Sequence, residues 1–100
     1  MQKQLAQVAT FQRAFGQNVE TQPTLINKET AKLRYDLMKE ENEEYLEAVE
    51  NNDLVEVLDA LTDQLYILCG TILEHGMQNI IEEGFEEVNR SNMSKLDEVG

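Results

Sequence analysis

Helix-breaking residues are scarce in this sequence, and that scarcity is what most limits the folds available to it. The 100 residues contain one proline, Pro23, and five glycines. So few breakers favour long helices over a series of short strands and turns. We predict an all-α fold with helices over about residues 4–15, 28–50, 54–74 and 77–89, then an irregular tail over 91–100. Asn27 and Asp53 are the predicted N-caps of the second and third helices.

Charge and composition exclude several classes of protein. Twenty acidic and eight basic residues give a net charge of −12, which repels the phosphate backbone of nucleic acids. No apolar run approaches the ~18 residues that a membrane-spanning helix needs, and the first residues lack a signal-peptide pattern. The single cysteine, Cys69, cannot form an internal disulfide and fits a reducing compartment. We therefore expect a cytoplasmic single domain with no nucleic-acid or membrane partner.

The second predicted helix carries acidic side chains where apolar ones are expected. Leu33, Leu37 and Ala48 define its apolar line, and Glu41 and Glu44 fall on that same line. Carboxylates on a buried seam are costly unless something pairs with them. The pattern therefore predicts that these two acids are functional. The neighbouring Glu43 lies to one side, as a solvated residue does.

The third predicted helix is apolar on two faces. One stripe consists of Leu54, Leu58, Leu61, Leu65, Leu68, Cys69 and Ile72. The opposite stripe consists of Glu56, Asp59, Ala60, Asp63, Tyr66, Ile67 and Gly70. A helix that is apolar nearly all round must be buried on both sides, and a domain of this size hardly surrounds it alone. We predict a helical bundle completed by oligomerisation, as a homodimer or homotetramer.

The short turn at residues 51–53 makes the second and third helices antiparallel neighbours. Counted outward at ~1.5 Å per residue, Glu44 lies level with Asp59 or Ala60, and Glu41 with Asp63. Carboxylates at one depth, with no basic residue among them, cannot all stay ionised unaided. Either their pKa values rise sharply or divalent cations lie between them. Oxygen-only ligands suit Mg²⁺ or Mn²⁺.

Four segments carry a family resemblance. Residues 40–44 read EENEE and residues 56–59 read EVLD. This pair resembles the EExxE…ExxD signature of the all-α NTP pyrophosphohydrolase superfamily, which includes MazG-like proteins and phosphoribosyl-ATP pyrophosphohydrolase. Residues 11–16 are similar to the first helix of that superfamily, 59–70 to its third helix, and 85–95 to the closing segment of its MazG-like branch.

The resemblance implies a four-helix MazG-like bundle that hydrolyses a nucleoside triphosphate or related nucleotide. Cleavage falls between the α- and β-phosphates and gives a monophosphate and pyrophosphate, with Mg²⁺ or Mn²⁺ as cofactor. The implied metal ligands are Glu41, Glu44, Glu56 and Asp59, with Glu40 as an accessory ligand or as the group that orients water. The implied substrate-binding residues, around the boundary between the domain at 1–90 and the tail at 91–100, are Arg90, Asn92 and Lys95. Deoxynucleoside triphosphates such as dUTP lead as substrates, with phosphoribosyl-ATP behind.

Two alternatives stay open. The motif favours Glu56 with Asp59 as ligands, whereas counting levels favours Asp59 with Asp63, so either Glu56 or Asp63 completes the metal site. Glu56 also stands three residues after Asp53, which is the spacing of a helix capping box. The other class of function is an acidic helical interaction or regulatory protein that keeps the fold without turnover. That alternative predicts acids spread over the outer surface and no inward cluster.

Overall fold

The computed structural model describes residues 1–99. In that range it has no strand and four helices: α1 (Gln2–Ala14), α2 (Lys28–Glu50), α3 (Leu54–Glu74) and α4 (Ile81–Val99). α3 is central, because both α2 and α1 pack against it. The predicted all-α fold with four helices is confirmed. Within residues 1–99, no helix has the length and apolar character needed to cross a membrane.

Side-chain caps fix where α2 and α3 begin. The Thr30 N–H donates to Asn27 Oδ1 at 2.8 Å, and the Glu56 N–H donates to Asp53 Oδ1 at 3.1 Å. Each bond satisfies one of the free amides of a first helical turn. Both caps were predicted from the sequence, and both are confirmed.

The end of α3 requires a glycine. The Gly76 N–H donates to the Leu73 carbonyl at 3.1 Å and the Met77 N–H to the Ile72 carbonyl at 3.0 Å, the two bonds of a Schellman motif. Gly76 has φ +64°, and a Cβ there would run into the backbone of Gln22. The motif ends the helix and turns the chain, so that α4 begins at Ile81 rather than at the predicted Met77.

The end of α2 uses the same motif with an asparagine. The Asn52 N–H donates to the Val49 carbonyl and the Asp53 N–H to the Ala48 carbonyl, both at 3.0 Å. Asn52 takes the left-handed conformation, with φ 54°, which asparagine tolerates better than most residues. Asp53 thus closes α2 through its backbone and caps α3 through its side chain. The turn between the two helices therefore consists of residues 51–53 alone.

The buried core lies between α1 and the C-terminal half of α3. It consists of Leu5, Val8, Ala9, Cys69, Ile72 and Leu73, with Val19 and Ile81 packed against it. Beside it, Gly70 makes room for two buried polar side chains. A Cβ on Gly70 would contact Gln12 and would lie 2.5 Å from Arg34 Nη2. Arg34 donates to Thr71 Oγ1 at 3.0 Å and to the Ile67 carbonyl at 2.8 Å, which ties α2 to α3.

The predicted irregular tail is wrong for the described residues, because α4 continues as one helix to Val99. No glycine or proline interrupts residues 85–99, and bonds three residues apart support the helix. Ser94 Oγ donates to the Ser91 carbonyl at 2.7 Å and Lys95 Nζ to Asn92 Oδ1 at 3.2 Å. The predicted boundary between residues 90 and 91 therefore falls inside a helix. Gly100 lies outside the described residues.

The predicted burial of α3 on both sides is met only in part within one chain. Cys69 and Ile72 are buried, but the leucines earlier on the same stripe are exposed, Leu54 to 81% and Leu58 to 67%. The apolar line of α2 is likewise uneven, since Ala48 is buried whereas Leu33 is 56% exposed. α3 therefore presents a leucine stripe, residues 54, 58, 61, 65 and 68, each of which stays between 44% and 81% exposed within residues 1–99.

Candidate metal centre

Three carboxylates from α2 and α3 converge at the middle of the helical hairpin. Glu41, Glu44 and Asp63 each offer an oxygen, and these oxygens lie within 4.8 Å of one another. Glu41 and Asp63 are half-buried, whereas Glu44 is exposed. We call these three residues the acidic trio. Its formation follows from the tight turn at 51–53, which sets Glu41 opposite Asp63.

The acidic trio lacks basic partners. The ion pairs within residues 1–99 join the N-terminal amine to Glu82, Lys32 to Asp36 and Arg90 to Glu87, and none includes a member of the trio. Glu41 Oε2 is buried and has no hydrogen-bond partner. An unpaired carboxylate oxygen among other carboxylates is the environment that a cation relieves.

The pKa values of Glu41 and Asp63 reflect this crowding. Burial raises the pKa of Glu41 to about 7, helped by a hydrogen bond with Glu44 and by the negative charges of Glu44, Asp63 and Glu40. Burial also raises the pKa of Asp63, to which the charges of Asp59 and Glu44 contribute. In the absence of a cation, therefore, the site holds protons that ordinary carboxyl groups release.

The other predicted ligands line a cavity that adjoins the trio at Glu44. This cavity has a volume of about 330 Å³ and includes Glu56 and Asp59 in its walls. The Glu56 N–H donates to the Asp53 side chain, which is one of the two bonds of a capping box. The Asp53 N–H, however, donates to the Ala48 carbonyl. The return bond of a capping box, from the Asp53 N–H to the Glu56 side chain, is thus not made. The Glu56 carboxylate lines the cavity instead.

The predicted substrate-binding residues lie away from the acidic trio. Arg90, Asn92 and Lys95 are exposed on α4, which does not pack extensively on α2 or α3. Arg90 bonds to Glu87, and Lys95 donates to Asn92. Within one chain, the structure therefore does not bring these residues together with the acids.

Sequence reasoning missed several polar residues around the trio. Gln64 Nε2 donates to Asn42 Oδ1 at 3.2 Å, which links α2 to α3 beside the site. Glu47 and Asn51 line the cavity next to Glu44. Glu47 stands three residues after Glu44, so helical spacing alone was a signal for it, whereas nothing in the sequence pairs Asn42 with Gln64.

Comparison with known proteins shows the family of the chain. Residues 8–92 match the phosphoribosyl-ATP pyrophosphohydrolase family, a match that includes both acidic segments and the start of α4. The chain belongs to that family. It is also 45% identical over 67 residues to the uncharacterized protein L479 of Acanthamoeba polyphaga mimivirus, an alignment that covers 63% of this chain and 27% of that protein. This chain thus spans about a quarter of the length of that relative.

The donor set of the acidic trio suits a hard divalent cation, because it consists of carboxylate oxygens alone. Glu41 Oε2 is buried with no hydrogen-bond partner, so this oxygen is available to bind a cation. The residues present therefore fit a metal-dependent site.

Proposed function

We propose that this protein hydrolyses nucleoside triphosphates or related nucleotides between the α- and β-phosphates, with Mg²⁺ or Mn²⁺, to give a monophosphate and pyrophosphate. The observation that supports the proposal most directly is the acidic trio, in which a buried Glu41 oxygen has no partner. Family membership gives the reaction class. The competing function, an interaction protein without turnover, predicts no inward acidic cluster.

Each acid has a proposed part in the site. Glu41, Glu44 and Asp63 hold the cation, while Asp59 and Glu56, in the cavity beside Glu44, are further ligands. A bound divalent cation neutralises charge on phosphate oxygens and lowers the pKa of water. Glu40 directly precedes Glu41 on α2 and is exposed; there it orients the attacking water by accepting a hydrogen bond. Because the chain carries a net charge of −12, these acids repel a polyphosphate until cations screen them.

An aromatic group lies near the acids and supports a nucleoside substrate. Phe11 and Phe15 of α1 have ring centroids 4.7 Å apart, and Tyr66 meets Phe11 edge to face at 5.7 Å. Tyr66 follows Asp63 by three residues on α3, less than one helical turn. All three rings are partly exposed, and such faces stack on bases. Deoxynucleoside triphosphates remain the leading substrates in this proposal, followed by phosphoribosyl-ATP.

The functional unit in this proposal is a homodimer or homotetramer. The leucine stripe of α3 is uncovered within one chain, and an apolar face of this length is typical of a subunit interface. A second copy supplies an equally apolar surface, which a hydrated or charged partner does not. Assembly also gives Arg90, Asn92 and Lys95 on α4 a route to the acidic site of another copy, where they would contact the substrate phosphates.

The test measures pyrophosphate release from dNTPs, NTPs and phosphoribosyl-ATP, with Mg²⁺, with Mn²⁺ and with EDTA. We expect metal-dependent release, and a loss of about 100-fold or more in Glu44→Gln, because the charge that binds the cation is removed. Glu43→Gln, one residue away on the solvated side, is the matched control and should keep full activity. Full turnover in Glu44→Gln would overturn the proposal. Absence of turnover together with metal-independent binding of a basic protein would favour the interaction protein.

A further inference from the structure

A second group of oxygen-rich side chains lies at the C-terminal end of α3, away from the acidic trio. Here the segment between α1 and α2 crosses the end of α3 and encloses a cavity of about 310 Å³. Its polar walls are formed by Asn18, Glu20, Thr24, Asn27, Thr30 and Glu74. Glu74 is eleven residues after Asp63 on the same helix, or ~16 Å along its axis at ~1.5 Å per residue.

Glu74 is the unusual residue of this cavity. Glu74 is only 5% exposed, and its Oε2 is buried with no hydrogen-bond partner. It lies in the last turn of α3, where the helix dipole adds negative rather than positive potential. A buried carboxylate in this position is costly without a positive partner.

Arg34 offsets the charge of Glu74 only through space. Burial lowers the pKa of the Arg34 guanidinium and the charge of Glu74 raises it, but Arg34 donates its hydrogen bonds to Thr71 Oγ1 and to the Ile67 carbonyl. The ion pairs within residues 1–99 do not include Glu74. Glu74 borders the cavity, and its Oε2 therefore has no hydrogen-bond donor.

A second carboxylate is held in place over the same cavity. The Glu20 N–H donates to the Leu73 carbonyl at 3.0 Å, and the Glu20 carbonyl accepts from Gln78 Nε2 at 2.8 Å. Asn18 Nδ2 donates to Glu20 Oε1 at 2.9 Å. These bonds hold the backbone and side chain of Glu20, and Asn18, Glu20 and Glu74 all border the same cavity. No lysine or arginine lines that space.

We propose that this cavity is a second divalent-cation site, with Glu74 and Glu20 as its charged ligands. The donors are carboxylate, amide and hydroxyl oxygens, which suit a hard cation, and their irregular arrangement suits Ca²⁺ better than Mg²⁺. A water molecule takes up about 30 Å³ of liquid volume, so the cavity accommodates an ion that keeps part of its hydration shell. The site is independent of the proposed catalytic function, because it shares no residue with the acidic trio.

The test uses the full chain with the acidic trio neutralised by Glu41→Gln, Glu44→Gln and Asp63→Asn. Calorimetric titration with Ca²⁺ is expected to show one ion per chain in this background and an increase in Tm on binding. Adding Glu74→Gln should weaken that binding by about tenfold or more, whereas Glu83→Gln, an exposed acid on α4, should leave it unchanged. Circular dichroism checks that each variant is folded.

Two results would overturn the second site. One is the absence of Ca²⁺ binding in the background variant. The other is Ca²⁺ binding that Glu74→Gln leaves intact. Glu20→Gln serves as a second variant, because Glu20 is only half-buried and its replacement disturbs the fold less. Since the background lacks the carboxylates of the acidic trio, neither result depends on pyrophosphohydrolase activity.

Discussion

At the scale of single residues, Glu41 combines the two conditions that disfavour a negative charge. Its Oε2 is buried without a partner, and other acids surround it. The metal-free protein therefore holds a proton there at pH values where a free glutamate is ionised. A cation that displaces this proton relieves burial and repulsion together, which is how one carboxylate couples metal affinity to pH.

This coupling predicts how the stability of the metal-free protein depends on pH. The pKa of Glu41 is about 7 in the folded state, above the ordinary 4.5 of the unfolded chain. Between these values the folded state binds more protons than the unfolded state, so the free energy of unfolding falls as pH rises and then levels off. We expect Tm in EDTA to fall across this interval. Glu41→Gln should remove much of the fall and Glu43→Gln should not; a Tm that rises with pH would contradict the assignment.

The identity of the ligand that completes the metal site is also decided by single residues. Asp63 belongs to the acidic trio, whereas Glu56 lines only the adjoining cavity. We therefore expect Asp63→Asn to weaken Mn²⁺ binding by about tenfold or more and Glu56→Gln to weaken it less. Calorimetric titration of the two variants side by side measures the difference. Equal losses, or a larger loss in Glu56→Gln, would assign the position to Glu56.

At the scale of helices, the turn between α2 and α3 sets the register on which the acidic trio depends. Asn52 holds a left-handed conformation there, so Asn52→Ala should lower the free energy of unfolding by about 1–2 kcal/mol. Asn52→Gly, which adopts the same conformation freely, is the control and should cost much less. Urea unfolding measures both. An unchanged midpoint in Asn52→Ala would show that the turn tolerates another conformation.

The sequence predicts the helices and part of the site, for identifiable reasons. Caps and turns are local signals, so Asn27 and Asp53 were assigned correctly. Counting residues from the short turn gives the height of Glu41 opposite Asp63, in agreement with the structure. It does not give the rotation of each helix about its axis, so it could not separate Asp63 from Glu56. The helix over 91–99 was missed because exposed polar side chains, bonded to close neighbours, support it without a buried face.

At the scale of the whole molecule, the main feature is the exposed leucine stripe of α3. Leu58, the second leucine of the stripe, is 67% exposed. If the stripe is a subunit interface, Leu58→Glu should reduce the assembly to monomers, because it places a charge where apolar surface would be buried. Leu46→Glu, on exposed α2 surface outside the stripe, is the control and should leave the mass unchanged. Light scattering after size-exclusion chromatography measures the masses, and a Leu58→Glu protein that keeps its assembly would contradict the interface.

The three-residue turn between α2 and α3 also bears on how the chain folds. Helices that are neighbours in sequence make contacts across short chain separations, and such folds form quickly. We therefore expect the hairpin of α2 and α3 to form before α4 does. Its formation, however, brings Glu41, Glu44 and Asp63 together at an early stage, and their mutual repulsion opposes that step. A divalent ion in the refolding buffer should accordingly accelerate folding as well as stabilise the product.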